Sequence, residues 1–469
     1  MSKNILNFLT AIFMWLISYF YISNTLTTNG LGFSITIFTV LILLVSLYFI
    51  KSNNIKVKKE SYIYFVYVLL IGLSFSIFID SGKKFIKILV LFISLGYWLI
   101  VASDSQTNDE LDQNILKDLF MKIFFVPMSK LYLLPKNLFF KISIKDKKTT
   151  NVIIGLIIVF PLIIIVSSLL SNTDETFRKL INFSINLDFL YELNIFYIVV
   201  SFFLASGLFS ALYINVNKIK INDNLKALNL DKLIIKTILI SMILIYVLYL
   251  SSVSFTYINH LTLLNSASDI SNYARSGFYE LCGVSFINFI LFIVCKWLVS
   301  EVDLSIKHLL IIIAVQTLIL SLLALLRLFV YINIYGLTYL RIYALIFIFL
   351  MFFVIVLLAY SLYSNINYTK ISVIIGSSVF LALCYINVGN LILKYNLSIK
   401  QEIRYYDKYK FGYEITPFLI EKYNNEKDVF EKNELKNNLI YIKNDISNHE
   451  LLHLNLELIK YKEMLEDIN

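Results

Sequence analysis

The chain of 469 residues is short of several residue types, and each shortage excludes a class of protein. Charged residues make up only 16%, against about 25% in soluble domains, whereas 58% are hydrophobic. The three cysteines, Cys282, Cys295 and Cys384, lie inside apolar segments without CxxC or Cys/His grouping. They therefore offer neither a disulfide framework nor a zinc site and are typical of packing residues. A soluble fold could not bury this much apolar surface.

Catalytic and cofactor motifs are also missing. The four histidines are scattered, and no GxSxG, HExxH, Walker A or Rossmann pattern occurs in a supporting context. Glycine and proline are scarce, at 13 and 4, and no broken apolar segments stand at matching places in two halves, as they do in many transporters. We therefore expect no metal, no cofactor and no catalytic residue, and we favour a non-enzymatic protein over a transporter.

Long apolar runs are what the chain has instead. A helix needs about 20 apolar residues to cross a hydrocarbon core of about 30 Å. The runs predict eleven spans, at 5–22, 31–50, 61–79, 84–102, 151–171, 193–215, 233–257, 278–299, 308–328, 339–363 and 371–391. The predicted fold class is an all-α integral membrane protein, a polytopic bundle of these transmembrane helices with a small helical C-terminal tail.

Lysine and arginine counts in alternate loops predict the orientation. Twenty of these residues fall on the side of the N-terminus and eight on the other side, and positive residues are retained on the cytoplasmic side. We expect a bacterial plasma membrane with the N-terminus cytoplasmic and, after an odd number of spans, the tail outside. If 61–79 and 84–102 form one re-entrant hairpin, nine spans remain and the tail stays outside. The net charge of +9 comes from loop lysines, so it does not indicate a nucleic-acid partner.

The polar breaks between the spans divide the chain into four segments. These are a four-span membrane segment at 1–104, a cytoplasmic connector at 105–150, a motif-bearing bundle of seven spans at 151–394, and a soluble tail at 395–469. In the connector, Leu116, Leu119, Phe120 and Ile123 recur at helical spacing. This spacing predicts an interfacial helix on the inner membrane surface or, with equal weight, an amphipathic connector without a lipid role.

The tail lacks the long apolar runs and contains 14 acidic and 11 basic residues, which is typical of short soluble helices. His449 and His453 are four residues apart there, a spacing that can hold a metal on a helix. No third ligand is identifiable nearby, so we interpret both as residues of an exposed helix face.

Arginine usage marks one side of the predicted bundle. Only five arginines occur, and Arg178, Arg275, Arg327 and Arg341 all lie at outer-side ends of spans. The planar guanidinium binds carboxylate or phosphate through two parallel hydrogen bonds, which the lysine ammonium cannot form. We therefore treat these arginines as candidates for a charged cluster.

Glu280 is the acidic candidate of this cluster, about one turn into the eighth span. At 100° per residue it shares a face with Gly277, Gly283 and Asn288, where small residues allow a neighbouring helix to approach. Gln316 and Arg327 are 11 residues apart and nearly eclipsed, which gives the ninth span a polar face. An ionisable residue inside a membrane normally faces protein or water and has a partner.

Three interpretations of Arg275, Glu280, Arg327 and Arg341 compete. The favoured one is a structural ion pair that fixes helix packing near the outer leaflet. The second is a binding site for an anionic group, such as a lipid phosphate or a solute carboxylate. The third is a proton or ion relay with Glu280 as the titrating group.

Four stretches of the chain carry a family resemblance: YARSGFYELCGVSFIN (273–288), RLFVYINIYGLTYLRIYAL (327–345), LLSNTDETF (169–177) and NVGNLILKYNL (387–397). They resemble the bacterial membrane proteins of domain of unknown function four-one-seven-three, with the sister group four-one-five-three. The resemblance covers roughly 115–420 and implies a multipass membrane protein without an established activity. The motif residues that it implies are Tyr273, Ala274, Arg275, Gly277, Phe278, Glu280, Tyr335, Gly336, Leu337, Thr338 and Arg341.

These patterns together favour a non-enzymatic membrane component that acts in envelope sensing or as a scaffold. The alternative is a transporter or lipid-handling protein that uses the Arg/Glu cluster to bind an anionic group. The expected partners are membrane lipids, including an anionic lipid or solute, and other membrane proteins, but no nucleic acid.

Overall fold

A computed structural model describes most of the chain. The described residues are 3–25, 32–78, 83–108, 111–112, 114–138, 195–219, 232–260, 278–298, 303–398, 412–466 and 468. All regular elements among them are helices, which confirms the all-α fold class.

The N-terminal part, up to residue 216, contains eight α-helices and one π-helix among the described residues. They are α1 (Lys3–Thr25), α2 (Phe33–Ser52), α3 (Ser61–Ile77), α4 (Lys84–Ala102), α5 (Asn114–Leu119), the π-helix (Phe120–Phe125), α6 (Val126–Ser129), α7 (Leu133–Leu138) and α8 (Ile195–Val216).

The remaining described helices run from residue 232 to residue 464. They are α9 (Lys232–His260), α10 (Phe278–Leu298), α11 (Leu304–Tyr335), α12 (Tyr339–Tyr360), α13 (Tyr368–Cys384), α14 (Val388–Ser398), a 3₁₀ turn (Gly412–Ile415), α15 (Thr416–Asn425), α16 (Val429–Ser447), a second 3₁₀ turn (Leu451–His453) and α17 (Leu456–Met464).

The predicted spans correspond closely to these helices. Ten of the eleven coincide with one or more helices, and the fifth, at 151–171, lies outside the described residues. In the described part, seven helices are long and apolar enough to cross a membrane, and the bent pair α13 and α14 makes an eighth if it is one span. The chain is therefore an all-α helical membrane protein, whereas the count of eleven stays a prediction.

Two of the predicted spans differ from straight crossings. Helix α3 has 17 residues and is about 26 Å long, slightly less than a hydrocarbon core of about 30 Å. The last predicted span, 371–391, is broken at 385–387, where α13 and α14 meet at 73°. Hydropathy alone could not show this bend because the apolar composition continues through it.

Helix α12 shows the features expected of a span. Its 22 residues extend about 33 Å, and tyrosines stand at both of its ends, Tyr339 at the start and Tyr360 at the finish. Tyrosine is enriched at both membrane–water interfaces. The positions of these two side chains therefore mark the ends of an apolar segment of membrane thickness.

Chain contacts divide the molecule into two compact units, and the first joins Met1–Ile221 with Thr416–Asn469. In this unit α1 and α8 pack along each other through small side chains. Thr10, Ala11 and Ser18 of α1 are buried, as are Ser201 and Ala205 of α8. Small residues let membrane helices approach closely, so α8 joins the N-terminal spans.

Ion pairs and a hydrogen bond join several elements at one end of the first unit. The Asp104 carboxylate binds Lys218 at 2.8 Å and Lys58 at 2.7 Å, and hydrogen bonds from these two lysines lower the pKa of Asp104. Lys3, at the start of α1, donates to the Asn217 side chain at 3.0 Å. The N-terminus, the end of α4 and the end of α8 therefore lie together.

The second unit comprises Asn222–Ile415. Its core joins α9, α10, α11 and α12 through buried residues such as Leu239, Phe292, Leu310 and Ile355. The predicted segments follow polar breaks in the sequence, whereas the two units reflect packing, which places α8 in the first unit. The two divisions describe different properties, so the segment boundaries remain predictions.

Candidate functional site

The turn between α11 and α12 requires a glycine. Gly336 ends α11 with φ 72° and ψ −174°, a backbone conformation that only glycine adopts without strain. Its N–H donates to the carbonyl of Ile332 at 2.7 Å. The predicted motif residue Gly336 therefore has a structural role, and Thr338 follows as the N-cap residue of α12.

Arg341 closes the same turn. Its Nη1 donates to the carbonyls of Tyr335, at 3.0 Å, and of Gly336. The guanidinium carbon lies 4.0 Å from the ring centroid of Tyr331 and 6.0 Å from that of Tyr335. A cation at a helix C-terminus is favoured by the helix dipole, and stacking on an aromatic ring adds to this. These contacts suit a capping residue.

Asn396 of α14 binds the backbone of the turn between α11 and α12. Its Oδ1 accepts from the backbone N–H of Leu337 at 2.6 Å, and its Nδ2 donates to the carbonyl of the same residue at 3.0 Å. The side-chain amide thus replaces the backbone partner that Leu337 would have in a strand or helix. Two stretches of the family resemblance, 327–345 and 387–397, therefore meet at this turn.

A buried carboxylate lies near the start of the same helix, α14, against Gly389. The Tyr339 hydroxyl donates to Glu414 Oε2, and Glu414 is only 4% exposed. Gly389 lies against both groups, and a Cβ there would overlap the Glu414 carboxylate. The absence of a side chain at Gly389 thus allows α14 to approach the Tyr339–Glu414 pair.

Sequence reasoning missed Tyr339, Gly389, Asn396 and Glu414. The available signal was their position: three of the four lie inside the quoted stretches 327–345 and 387–397. Their polar atoms bind partners far along the chain, and no local periodicity reveals such pairs.

Polar side chains connect α9, α10 and α11 inside the second unit. The Tyr246 hydroxyl donates to Asn288 Oδ1 at 2.5 Å, and Asn288 Nδ2 donates to the Thr317 hydroxyl at 2.8 Å. One turn away, the hydroxyls of Ser285 and Ser321 are 3.3 Å apart. Interhelical hydrogen bonds of this kind hold membrane helices together.

Gln316 adds a contact between α9 and α11. Its Nε2 donates to the carbonyl of Ile243 at 3.2 Å, and the residue is 6% exposed. The predicted polar face of the ninth span is therefore directed into the protein, since Arg327 on the same helix is also buried, with 9% exposure.

The predicted charged cluster is only partly inside the described residues. Tyr273, Arg275 and Gly277 lie outside them, and so do Arg178 and Ala274. Phe278 and Glu280 are in the first turn of α10. Arg327 and Arg341 lie on different helices, α11 and α12.

The register between α10 and α11 gives the level of Glu280. Asn288 pairs with Thr317 and Ser285 with Ser321, so the two helices run in opposite directions. One turn further, Leu281 joins the cluster of Ala324, Leu325 and Leu328. The backbone of Glu280 is therefore level with the turn of α11 that carries Arg327, and the predicted cluster remains a prediction.

Within the first unit, the tail contacts the start of α2 directly after its second 3₁₀ turn. The backbone N–H of Phe33 donates to the carbonyl of Leu454 at 3.1 Å. Gly32 lies against this carbonyl, and a Cβ there would overlap it. His453, next to it, is 3% exposed.

The interpretation of His449 and His453 as one exposed helix face is wrong. Helix α16 ends at Ser447, and His453 belongs to the following 3₁₀ turn. The pKa of His453 is lowered, chiefly by burial; the carboxylate of Glu450 opposes this shift, and His449 and Lys84 add to it. In the described part of the chain, no group of three or more His, Cys, Asp or Glu residues could hold a metal ion.

A family model, Domain of unknown function (DUF4153), matches residues 8–417. The chain belongs to this family. It is the group that the resemblance gave as the sister group, and the match extends the resemblance over the first four spans. No curated protein and no solved structure was found to be similar. The match ends at Pro417, the second residue of α15, so the docked tail module from Thr416 onward lies almost wholly beyond the family region.

Proposed function

We propose that the protein is a non-enzymatic component of a bacterial plasma membrane that acts in envelope sensing or as a scaffold. In this proposal the membrane helices anchor the tail module, residues 416–469, and the tail module meets partners outside the cell. The observation that carries the proposal is the docking of the tail module at one end of the first unit.

That end is opposite to the N-terminus. Helix α1 begins at Lys3, which binds Asn217, and runs about 35 Å to Thr25. Only seven residues separate Thr25 from Phe33, whose N–H binds the tail. Together with the excess of lysine in the loops on the N-terminal side, this arrangement supports a cytoplasmic N-terminus and an outer tail module.

The tail module has side chains that suit a protein partner. Val429, Phe430 and Tyr441 on α16 are 74%, 80% and 58% exposed. Aromatic residues on a polar surface are enriched in protein–protein contacts. We therefore assign partner binding to this helix and membrane anchoring to the helical units.

A complementation experiment tests the proposal. Cells that lack the protein would receive the wild type, Gly32→Ala, which removes the space for the Leu454 carbonyl, or Gly207→Ala. Apart from the backbone around Gly207 itself, no atom lies within 4 Å of a Cβ there, so this variant is the matched control. We expect the response to wall-damaging compounds to be restored by the wild type and the control but not by Gly32→Ala at equal membrane levels. Full restoration by Gly32→Ala would contradict a role for the docked tail.

The orientation has a separate test. A cysteine at Asn437, an exposed position of α16, should react with an impermeant thiol reagent added to intact cells. Labelling only after lysis would overturn the outer position of the tail module.

The alternative is a transporter or lipid-handling protein that binds an anionic group at the Arg/Glu cluster. The observation that favours this alternative is the buried position of Arg327, which is level with the turn that carries Glu280. Native mass spectrometry would then count fewer retained phosphatidylglycerol molecules on Arg327→Gln than on Lys370→Gln, an exposed control. If the cluster is structural, Glu280→Ala should instead lower the melting temperature without changing lipid retention.

A further inference from the structure

The connector after α4 presents a row of large apolar side chains. Leu116, Phe120, Phe124, Phe125 and Met128 are 61%, 59%, 60%, 58% and 54% exposed. They belong to one continuous segment, formed by α5, the π-helix and α6. We call these five residues the aromatic face.

The π-helix creates this face. The Val126 N–H donates to the carbonyl of Met121, five residues earlier, as a π-helix requires. In an α-helix, Phe120 and Phe125 would point about 140° apart. In the structure their rings are stacked, with centroids 6.3 Å apart, and the Phe124 ring lies 6.1 Å from that of Phe120.

The opposite face of the segment is fixed to the first unit. Lys122 Nζ lies 2.7 Å from the Asp118 carboxylate and donates to the carbonyl of Ser105 at 2.5 Å. Asp118 also accepts from the backbone N–H of Thr107 at 2.8 Å. These contacts prevent the segment from rolling over to bury the aromatic face.

Two further contacts fix the depth of the segment. Ile123 packs on Gly96 of α4, and the Ser210 hydroxyl of α8 donates to the carbonyl of Lys130 at 2.8 Å. Gly96 and Ser210 each lie six residues before the end of their helix. Six residues span about 9 Å, so the segment lies beside the last turns of two membrane helices, where acyl chains begin.

The charges near the aromatic face identify the surface that covers it. Lys117 lies on the segment and Lys130 follows it directly, and residues 117–148 contain eight lysines but only two aspartates. Basic residues that flank an apolar helical face are typical of segments that bind anionic lipid at the membrane interface.

We propose that the aromatic face inserts among the acyl chains of the leaflet on the N-terminal side, and that the flanking lysines bind anionic phospholipid headgroups there. The segment is thus a lipid-binding element separate from the membrane spans and from the tail module. It does not depend on the proposed role in sensing or scaffolding.

Spin labels in nanodiscs test the insertion. In a background with Cys282→Ser, Cys295→Ala and Cys384→Ala, a label would be attached at Phe124→Cys, at Leu116→Cys, or at Lys136→Cys as the control. We expect collisions with oxygen to exceed those with a water-soluble nickel chelate at positions 124 and 116, and the reverse at 136. Nickel collisions at 124 equal to those at 136 would overturn the proposal. Exclusion of both reagents, with disulfide formation between Phe124→Cys copies, would also overturn it and would assign the face to a second copy of the chain.

The binding of headgroups by the lysines is tested in the same assay. We expect the Phe124→Cys label to lie deeper in phosphatidylglycerol discs than in phosphatidylcholine discs, and this difference to disappear when Lys117→Gln and Lys130→Gln are combined. Equal depth in both lipids for the chain with native lysines would remove the headgroup part of the proposal.

Discussion

The carbonyl of Leu454 accepts a hydrogen bond from Phe33, the first residue of α2, at 3.1 Å. This contact joins the tail module to a membrane helix near the beginning of the chain. It depends on Gly32, because any side chain there would meet the Leu454 carbonyl.

Gly32→Ala should therefore release the tail module. We expect limited proteolysis of the detergent-solubilised variant to remove residues beyond about 416 faster than in the wild type, since the docked 3₁₀ turn becomes exposed. Gly207→Ala, with open space around the new methyl group, should be cleaved at the wild-type rate. Equal cleavage of all three proteins would contradict the importance of this docking contact.

Docking of the tail should weaken at acidic pH. Burial lowers the pKa of His453 below its usual value of about 6.5, so the docked state favours the neutral ring. The stabilisation is present above about pH 6.5 and is lost as the pH falls towards the lowered pKa, because the released histidine takes up a proton more readily. Proteolysis at about pH 7.5 and about pH 5.5 measures the difference.

A pair of histidine variants separates His453 from its neighbours. His453→Gln should remove most of the pH dependence of cleavage, whereas His449→Gln should retain it, because His453 is the histidine whose pKa is lowered by burial. An unchanged pH profile in His453→Gln would contradict the assignment of the effect to His453.

Gly336→Ala should destabilise the second unit. A methyl group at φ 72° and ψ −174° costs about 1–3 kcal/mol, which should appear as a lower melting temperature in detergent. Gly376→Ala is the matched control, since Gly376 is inside α13 and no atom beyond the surrounding helix backbone lies within 4 Å of its Cβ position. We expect that variant to be neutral or slightly more stable, because alanine favours helix over glycine.

Asn396→Ala should have a similar effect on the same turn. The variant leaves the N–H and carbonyl of Leu337 without their side-chain partner, at a cost of about 1–3 kcal/mol. Asn390→Ala, at an exposed position of the same helix, should melt at the wild-type temperature. Because Gly336 and Asn396 stabilise one turn, the double variant should lose less than the sum of the two single losses.

Arg341→Lys should be harmful although the charge is kept. Lysine lacks the planar group that binds the carbonyls of Tyr335 and Gly336 while stacking on Tyr331. We expect a loss of about 1–2 kcal/mol in the free energy of unfolding. A wild-type melting temperature would show that charge alone fulfils the role of Arg341.

Much of the fold could be predicted because span formation is a local property. Helix α4 has the predicted bounds, 84–102, since its apolar composition and its polar flanks coincide. The break at 385–387 could not be predicted, because the apolar composition of α13 continues through the bend into α14.

The candidate site was only partly accessible from sequence. Gly336 and Arg341 could be selected because a glycine and a rare arginine stand out in an apolar run. Their roles could not, since the contact between Leu337 and Asn396 joins residues 59 positions apart. The π-helix was equally hidden, because helical periodicity assumes 3.6 residues per turn.

The hydrogen bonds between Asn396 and the backbone of Leu337 also determine the sequence of events in which the protein assembles during synthesis. When α11 and α12 leave the ribosome, the partner of their connecting turn has not yet been made, because it follows 59 residues later. Until then the polar backbone groups of Leu337 must remain in water at the membrane surface. The hairpin can therefore enter the bilayer early, but its turn acquires its final shape only after α14 has been translated.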